Sequence, residues 1–209
     1  MTGDINRFMQ EFAILAPPFL LALTLHELAH GYVAYRFGDP TAQRLGRLTM
    51  NPLKHLDPLG TILFFIMHIG WAKPVPVNPS YFQRPERDML WVALAGPGAN
   101  LLLAVASAVT LKLLPVIGAL LPLFVLKPVL LMLAASTWIN IMLAVFNLIP
   151  IPPLDGGKVM TGLLPPQLAH VYRRAEPFGF VLLLLLFYTG VIPKLIMPLI
   201  SFAHSLLTG

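Results

Sequence analysis

Two histidines four residues apart constrain this chain more than any other feature, because they stand where polar side chains are costly. The stretch reads Leu25-His26-Glu27-Leu28-Ala29-His30-Gly31, and from Phe19 to Leu25 the only polar side chain is Thr24. A four-residue spacing puts both imidazoles on one face of a helix. Two such nitrogens suit a single Zn2+, each about 2.0–2.1 Å from the ion. Glu27 directly follows the first of them, where its carboxylate can take a proton from an attacking water. Ionisable groups inside an apolar span are expensive to bury and therefore mark function. The plainer alternative, two helix histidines paired with a carboxylate in a water-soluble bundle, suits these surroundings less well.

Composition agrees. Of 209 residues, 57% are hydrophobic and only 11% charged, whereas a soluble domain carries about 25% charged residues. We read an all-α polytopic membrane protein forming one domain over residues 1–209, with no room for a PDZ or CBS-type module. The absence of cysteine excludes a disulfide framework and a thiolate metal site. The net charge of +5 sits mostly in short loops, so it reports topology and not nucleic-acid binding. Met1 to Glu11 is polar with both charge signs, which does not suit a cleavable signal peptide.

The first apolar segment runs from about Phe12 to Phe37, enough to span, with Pro17 and Pro18 expected to kink it or delay its regular start. His30 is six residues, roughly 9 Å, from the charged end at Arg36. Gly46 to Pro52 reads as extended strand and turn. Leu59 to Ile69 is apolar but short, the expectation being a re-entrant segment that returns to the same side. Closely spaced prolines from Trp71 to Pro79 argue for an extended edge and against helix. Met89 to Leu114, Val129 to Ile149 and Phe178 to about Leu207 complete four full spans. Gly96-Pro97-Gly98-Ala99-Asn100, within the second of these, reads as a site of close helix packing. The expected fold is thus about four transmembrane helices, a short extra hydrophobic segment and a small membrane-associated extended or β region.

Arg36 to Lys54, Lys73 to Arg87 and Lys158 to Arg174 hold most of the Lys and Arg. They fall on one side if Leu59 to Ile69 does not cross, and the positive-inside rule makes that side cytoplasmic. Both termini are then outside, and the His30 end of the first span meets the Asp155 end of the third on the cytoplasmic side. Asp155 is the best candidate for a third metal ligand, since catalytic zinc usually keeps three protein ligands and one open position. Pro150, Pro152 and Pro153 break the helix before it, and Gly156 and Gly157 let the backbone approach the metal.

His26-Glu27-Leu28-Ala29-His30, taken with Asn147 through Leu154-Asp155-Gly156, resembles the site-2 protease family of intramembrane zinc metalloproteases. Gly70 to Asn78 and Gly96 to Asn100 look like its compact prokaryotic branch. The resemblance implies hydrolysis of peptide bonds in or near transmembrane segments of membrane-protein substrates, within a prokaryotic plasma membrane. It implies His26, His30 and Asp155 as zinc ligands, Glu27 as general base, and Asn147 as a group steadying the oxyanion or substrate. It also implies that the extended segment, with Trp71, Val75, Val77 and Asn78, pairs with unwound substrate.

Two rival classes are a metal-ion transporter and a non-proteolytic membrane scaffold. A transporter needs a crossing pathway, and a scaffold has no need of Glu27. His68 and His204, the other histidines in apolar stretches, read as residues that pack or snorkel rather than relay ions, while His55 and His170 lie in polar loops and read as solvated.

Overall fold

The computed structural model describes residues 2–67, 72–117 and 122–209. Among the described residues eight α-helices follow in order: α1 (Thr2–Arg36), α2 (Thr41–Arg44), α3 (Pro58–Met67), α4 (Pro85–Ile117), α5 (Leu123–Asn147), α6 (Asp155–Leu163), α7 (Pro166–Tyr188) and α8 (Val191–Thr208). Four contain stretches long and apolar enough to cross a bilayer: Ile5–Arg36, Pro85–Val116, Leu123–Asn147 and Val191–Thr208.

These four form an antiparallel bundle held by polar contacts at helix crossings. His30 on α1 meets the Val92 carbonyl on α4, and Asn100 on α4 meets the Ala22 carbonyl on α1. Asn100 also bonds Asn140 on α5, and Ser107 on α4 bonds Ser136 on α5 at 2.8 Å. α8 lays Ile192, Ile196 and Ile200 against Ile141, Ile149 and Ala104. Ala22, Ala34, Ala93, Ala104, Ala108 and Ala144 are buried at or near full depth, while Leu102, Val116 and Phe124 face outward. Small residues inside and large apolar ones outside are what close helix approach within lipid requires.

Several boundaries differ from those expected. α1 passes unbroken through Pro17 and Pro18 and begins ten residues before Phe12; a proline in a spanning helix is tolerated where neighbouring groups satisfy the freed carbonyls. The expected single span from Phe178 to Leu207 is split. Gly190 adopts φ 73°, a left-handed conformation that terminates α7 at little steric cost to glycine. Of the two, only α8 is apolar enough along its length to count among the candidate spans, and α7 packs Gly179 against Pro152 and bonds Tyr172 Oη to the Pro150 carbonyl at 2.7 Å.

Among the described residues there is no strand; the expected β region amounts to one antiparallel bridge, Leu56 with Ala72. Gly46 to Pro52 forms bends and the start of a short 3-10 turn. Residues 73–78 form neither helix nor strand, Asn78 being extended at φ −112° and ψ 102°, and Pro74, Pro76 and Pro79 lack the N–H groups a ladder needs. Gly70 and Trp71 lie outside the described residues, as do His68 and Ile69. The described part of α3 has ten residues.

Single bonds to buried groups hold this extended strap in place. Lys73 N–H donates to His55 O at 2.9 Å, and Arg47 Nη2 donates to Lys73 O at 2.7 Å. Val75 N–H donates to Glu27 Oε2 at 2.7 Å, and Asn78 N–H to Asp39 Oδ2 at 2.7 Å. Asp39 is fully buried and also accepts from the Thr41 N–H and hydroxyl. His55, expected to be solvated, is fully buried, its Nε2 donating to Thr49 O. His204 packs as expected, edge-on to Trp138 at 5.2 Å between ring centroids.

Candidate metal centre

The spacing of His26 and His30 on α1 does what helical geometry requires: the Nε2 atoms lie 3.1 Å apart. Asp155, the first residue of α6, brings its Oδ2 to 3.1 Å from His26 Nε2 and 3.0 Å from His30 Nε2. All three residues are buried. The site therefore joins two pieces of chain 125 residues apart.

Close packing makes the convergence possible. α4 crosses α1 at Gly96, where a Cβ would lie 2.3 Å from His30 Nε2 and 2.7 Å from His26 Cε1. No side chain larger than hydrogen leaves room for the two rings. Gly98, two residues on, has no such neighbour within 4 Å. Gly156 and Gly157, expected from sequence to let the backbone approach the metal, are crowded by the turn that precedes them. Their missing Cβ atoms would strike the Ile149 and Leu148 carbonyls at 2.3 and 2.4 Å, and Pro152 N at 2.9 Å. They seat α6 on the proline turn, and that seating aims Asp155.

The donor set fits a cation. His30 Nδ1 lies 2.7 Å from the Val92 carbonyl, which can only accept, so Nδ1 carries a proton. The neutral ring then presents its Nε2 lone pair to the Asp155 oxygen, an unfavourable contact unless a positive centre lies between them. One proton can bridge one of the three close pairs but not all three. Ligands about 2.0–2.1 Å from a tetrahedral zinc stand roughly 3.3 Å apart, close to the 3.0–3.1 Å observed here. Lys158 Nζ is 3.3 Å from Asp155 Oδ1.

Glu27, Asn147, Val75, Val77 and Asn78 are the other expected site residues that the structure describes. Glu27 is half-buried, adjoins His26 in sequence, and takes the Val75 N–H. Gly31, one turn after Glu27, leaves the room that Val75 and Leu48 occupy against α1; a Cβ there would lie 2.9 Å from Val75 Cγ1. Asn147 ends α5 and donates one amide proton to Leu143 O at 2.9 Å within its own helix. Val77 is half-buried, and Asn78 is exposed with its side-chain oxygen accepting from Ser80 N–H. Asn100 was missed as part of the site: it is fully buried, its Oδ1 2.5 Å from His26 Nδ1. A buried amide in an apolar span was the available signal.

A helix with the His-Glu-x-x-His pattern, an aspartate closing the site and a bundle of four spans define a membrane-embedded metallohydrolase. The chain belongs to Peptidase family M50, the site-2 protease family. That family's model matches residues 123–187, the stretch from α5 through most of α7 that contains Asp155. Across nearly the whole chain, it is 40% identical over 212 residues to "Putative zinc metalloprotease YwhC" of Bacillus subtilis (strain 168), covering 94% of this chain and 92% of that protein. "Putative zinc metalloprotease Rip2" of Mycobacterium tuberculosis (strain ATCC 25618 / H37Rv) is 34% identical over 186 residues, covering 84% and 67%. The Rip2 of Mycolicibacterium smegmatis (strain ATCC 700084 / mc(2)155) is 29% identical over 200 residues, covering 88% and 70%. No solved structure matches the chain.

Proposed function

We propose that in this intramembrane zinc metalloprotease His26, His30 and Asp155 hold the ion, Glu27 is the general base, and the substrate is an unwound transmembrane segment presented beside the strap of residues 72–78. The observation that carries the reading is the meeting of three ligand atoms from α1 and α6 within 3.1 Å. Nothing favours a transporter or a scaffold.

When bound, zinc supplies Lewis acidity, lowering the pKa of water to about 7 and polarising a carbonyl oxygen. The chain's own groups do the rest. Glu27 accepts the proton of the attacking water and returns it to the leaving amine. The Val75 N–H fixes one carboxylate oxygen of Glu27 and leaves the other for that transfer. Asn147 keeps one amide proton beyond its bond to Leu143 O, available to a developing oxyanion.

The strap's role follows from its hydrogen-bond accounting. Lys73, Val75 and Asn78 spend their N–H groups on His55, Glu27 and Asp39, and Pro74 and Pro76 have none. What it offers a substrate is the Val77 N–H and the carbonyls along Pro74 to Val77. Pairing with an extended peptide there draws on substrate N–H groups, which a helix frees only by unwinding. Val75 and Val77 flank that edge, and Asn78 closes it.

Apart from Arg7, Lys112 and Lys127, the Lys and Arg residues lie towards the end of the bundle that holds the site, which supports a cytoplasm-facing site in a prokaryotic plasma membrane. The reading is tested with a helical membrane peptide reconstituted with the protein and followed by mass spectrometry. Chelator-sensitive cleavage within the hydrophobic segment is expected; an intact peptide with zinc bound would overturn it.

A further inference from the structure

One buried side chain beside the metal centre has no role in that chemistry, and its neighbours define one. Asn100 Oδ1 lies 2.5 Å from His26 Nδ1. A side-chain amide can turn either its oxygen or its nitrogen to a histidine, so this contact alone does not place the proton. The remaining partners do. Asn100 Nδ2 is 3.2 Å from the Ala22 carbonyl and 2.8 Å from Asn140 Oδ1. The Ala22 carbonyl can only accept, so the amide nitrogen faces it and the oxygen faces His26. Asn140 is oriented by a second carbonyl, its Nδ2 donating to Ser136 O at 2.8 Å. Turning either amide over would set oxygen against oxygen in the interior of the spans, where an unsatisfied polar group costs about 1–3 kcal/mol.

We infer that Asn100 is a positioning residue for the metal. Held by Ala22 and Asn140, it takes the Nδ1 proton of His26 and keeps the Nε2 lone pair on the side of His30 and Asp155. His30 needs no such device, because its Nδ1 meets a backbone carbonyl directly. A neutral amide does this without bringing a further charge into the spans. The inference rests on His26 being a ligand. It differs from a simple gluing role, in which Asn100 and Asn140 would hold α1, α4 and α5 together without regard to the ring.

The test is zinc affinity, by chelator competition in detergent micelles, with thermal unfolding of each variant alongside. Outer-shell partners of ligating histidines are worth about 10–100-fold in metal affinity, and Asn100→Leu is expected to lose that much. Asn100→Asp keeps an acceptor oxygen towards His26 and is expected to bind within a few-fold of wild type, although both variants lose the bonds to Ala22 and Asn140. If Asn100→Leu does not fold, Asn140→Leu and Asn140→Asp repeat the comparison one bond further out, the aspartate keeping an acceptor for Asn100. Equal zinc affinity in the Leu and Asp variants, or wild-type affinity in the Leu variant, would overturn the positioning role. A folded wild-type protein that takes up no zinc would instead overturn the ligand set beneath it.

Discussion

The Val75 N–H donates to Glu27 Oε2 at 2.7 Å, joining the extended strap to the residue after the first metal ligand. The bond gives the strap a place in the chemistry and not only beside it. It fixes the carboxylate through a backbone group that any substitution at position 75 except proline leaves intact.

Removing that donor is therefore expected to cost rate and not metal. Val75→Pro eliminates the N–H in a segment where Pro74 and Pro76 already hold the chain extended, and Val75→Ala keeps it. A hydrogen bond to a charged group is worth about 1.5–3 kcal/mol, so cleavage by Val75→Pro should fall about 10- to 100-fold with zinc content unchanged. Val75→Ala should stay within a few-fold of wild type. Wild-type turnover in Val75→Pro would detach the strap from Glu27's function.

Gly96 and Gly98 should respond oppositely to alanine. The new Cβ at 96 would sit 2.3 Å from His30 Nε2, whereas that at 98 meets nothing within 4 Å. Gly96→Ala should lose zinc, and Gly98→Ala should keep both zinc and cleavage. Metal analysis of the two purified proteins decides it; equal zinc content would mean that α4 does not crowd the ligands as described.

The motif was legible because its geometry is local. Four residues of helix bring His26 and His30 together whatever surrounds them, and Asp155 showed itself by following a proline turn at the end of an apolar span. What stayed hidden depends on contacts between distant parts of the chain. Gly96 to Asn100 read as packing because only the crossing of α1 and α4 puts Gly96 against His30 and Asn100 against His26, 74 residues away. The crowding of Gly156 and Gly157 by Leu148, Ile149 and Pro152 was hidden for the same reason. His55 read as a loop residue, and its burial depends on the strap folding back over it. The break at Gly190 was in view as a glycine within an apolar run, but hydropathy alone does not divide a continuous run.

Asp155 and its neighbour Lys158 should separate ligand from bystander. A three-ligand site predicts about one zinc per chain, and Asp155→Ala should lose most of it. The Lys158 side chain is 49% exposed, and ion pairs of that kind contribute about 1 kcal/mol or less, so Lys158→Met should hold zinc nearly as wild type does. Full zinc occupancy in Asp155→Ala would remove that residue from the ligand set.

The most direct measurement compares wild type with Glu27→Gln for bound zinc and for cleavage of the same reconstituted helical peptide. Glutamine preserves the acceptor for Val75 N–H but cannot take a proton from water. General acid–base groups contribute about 10²–10⁴-fold, so Glu27→Gln should retain about one zinc per chain while cleavage falls by that factor or more. Cleavage at the wild-type rate in zinc-loaded Glu27→Gln would contradict the account.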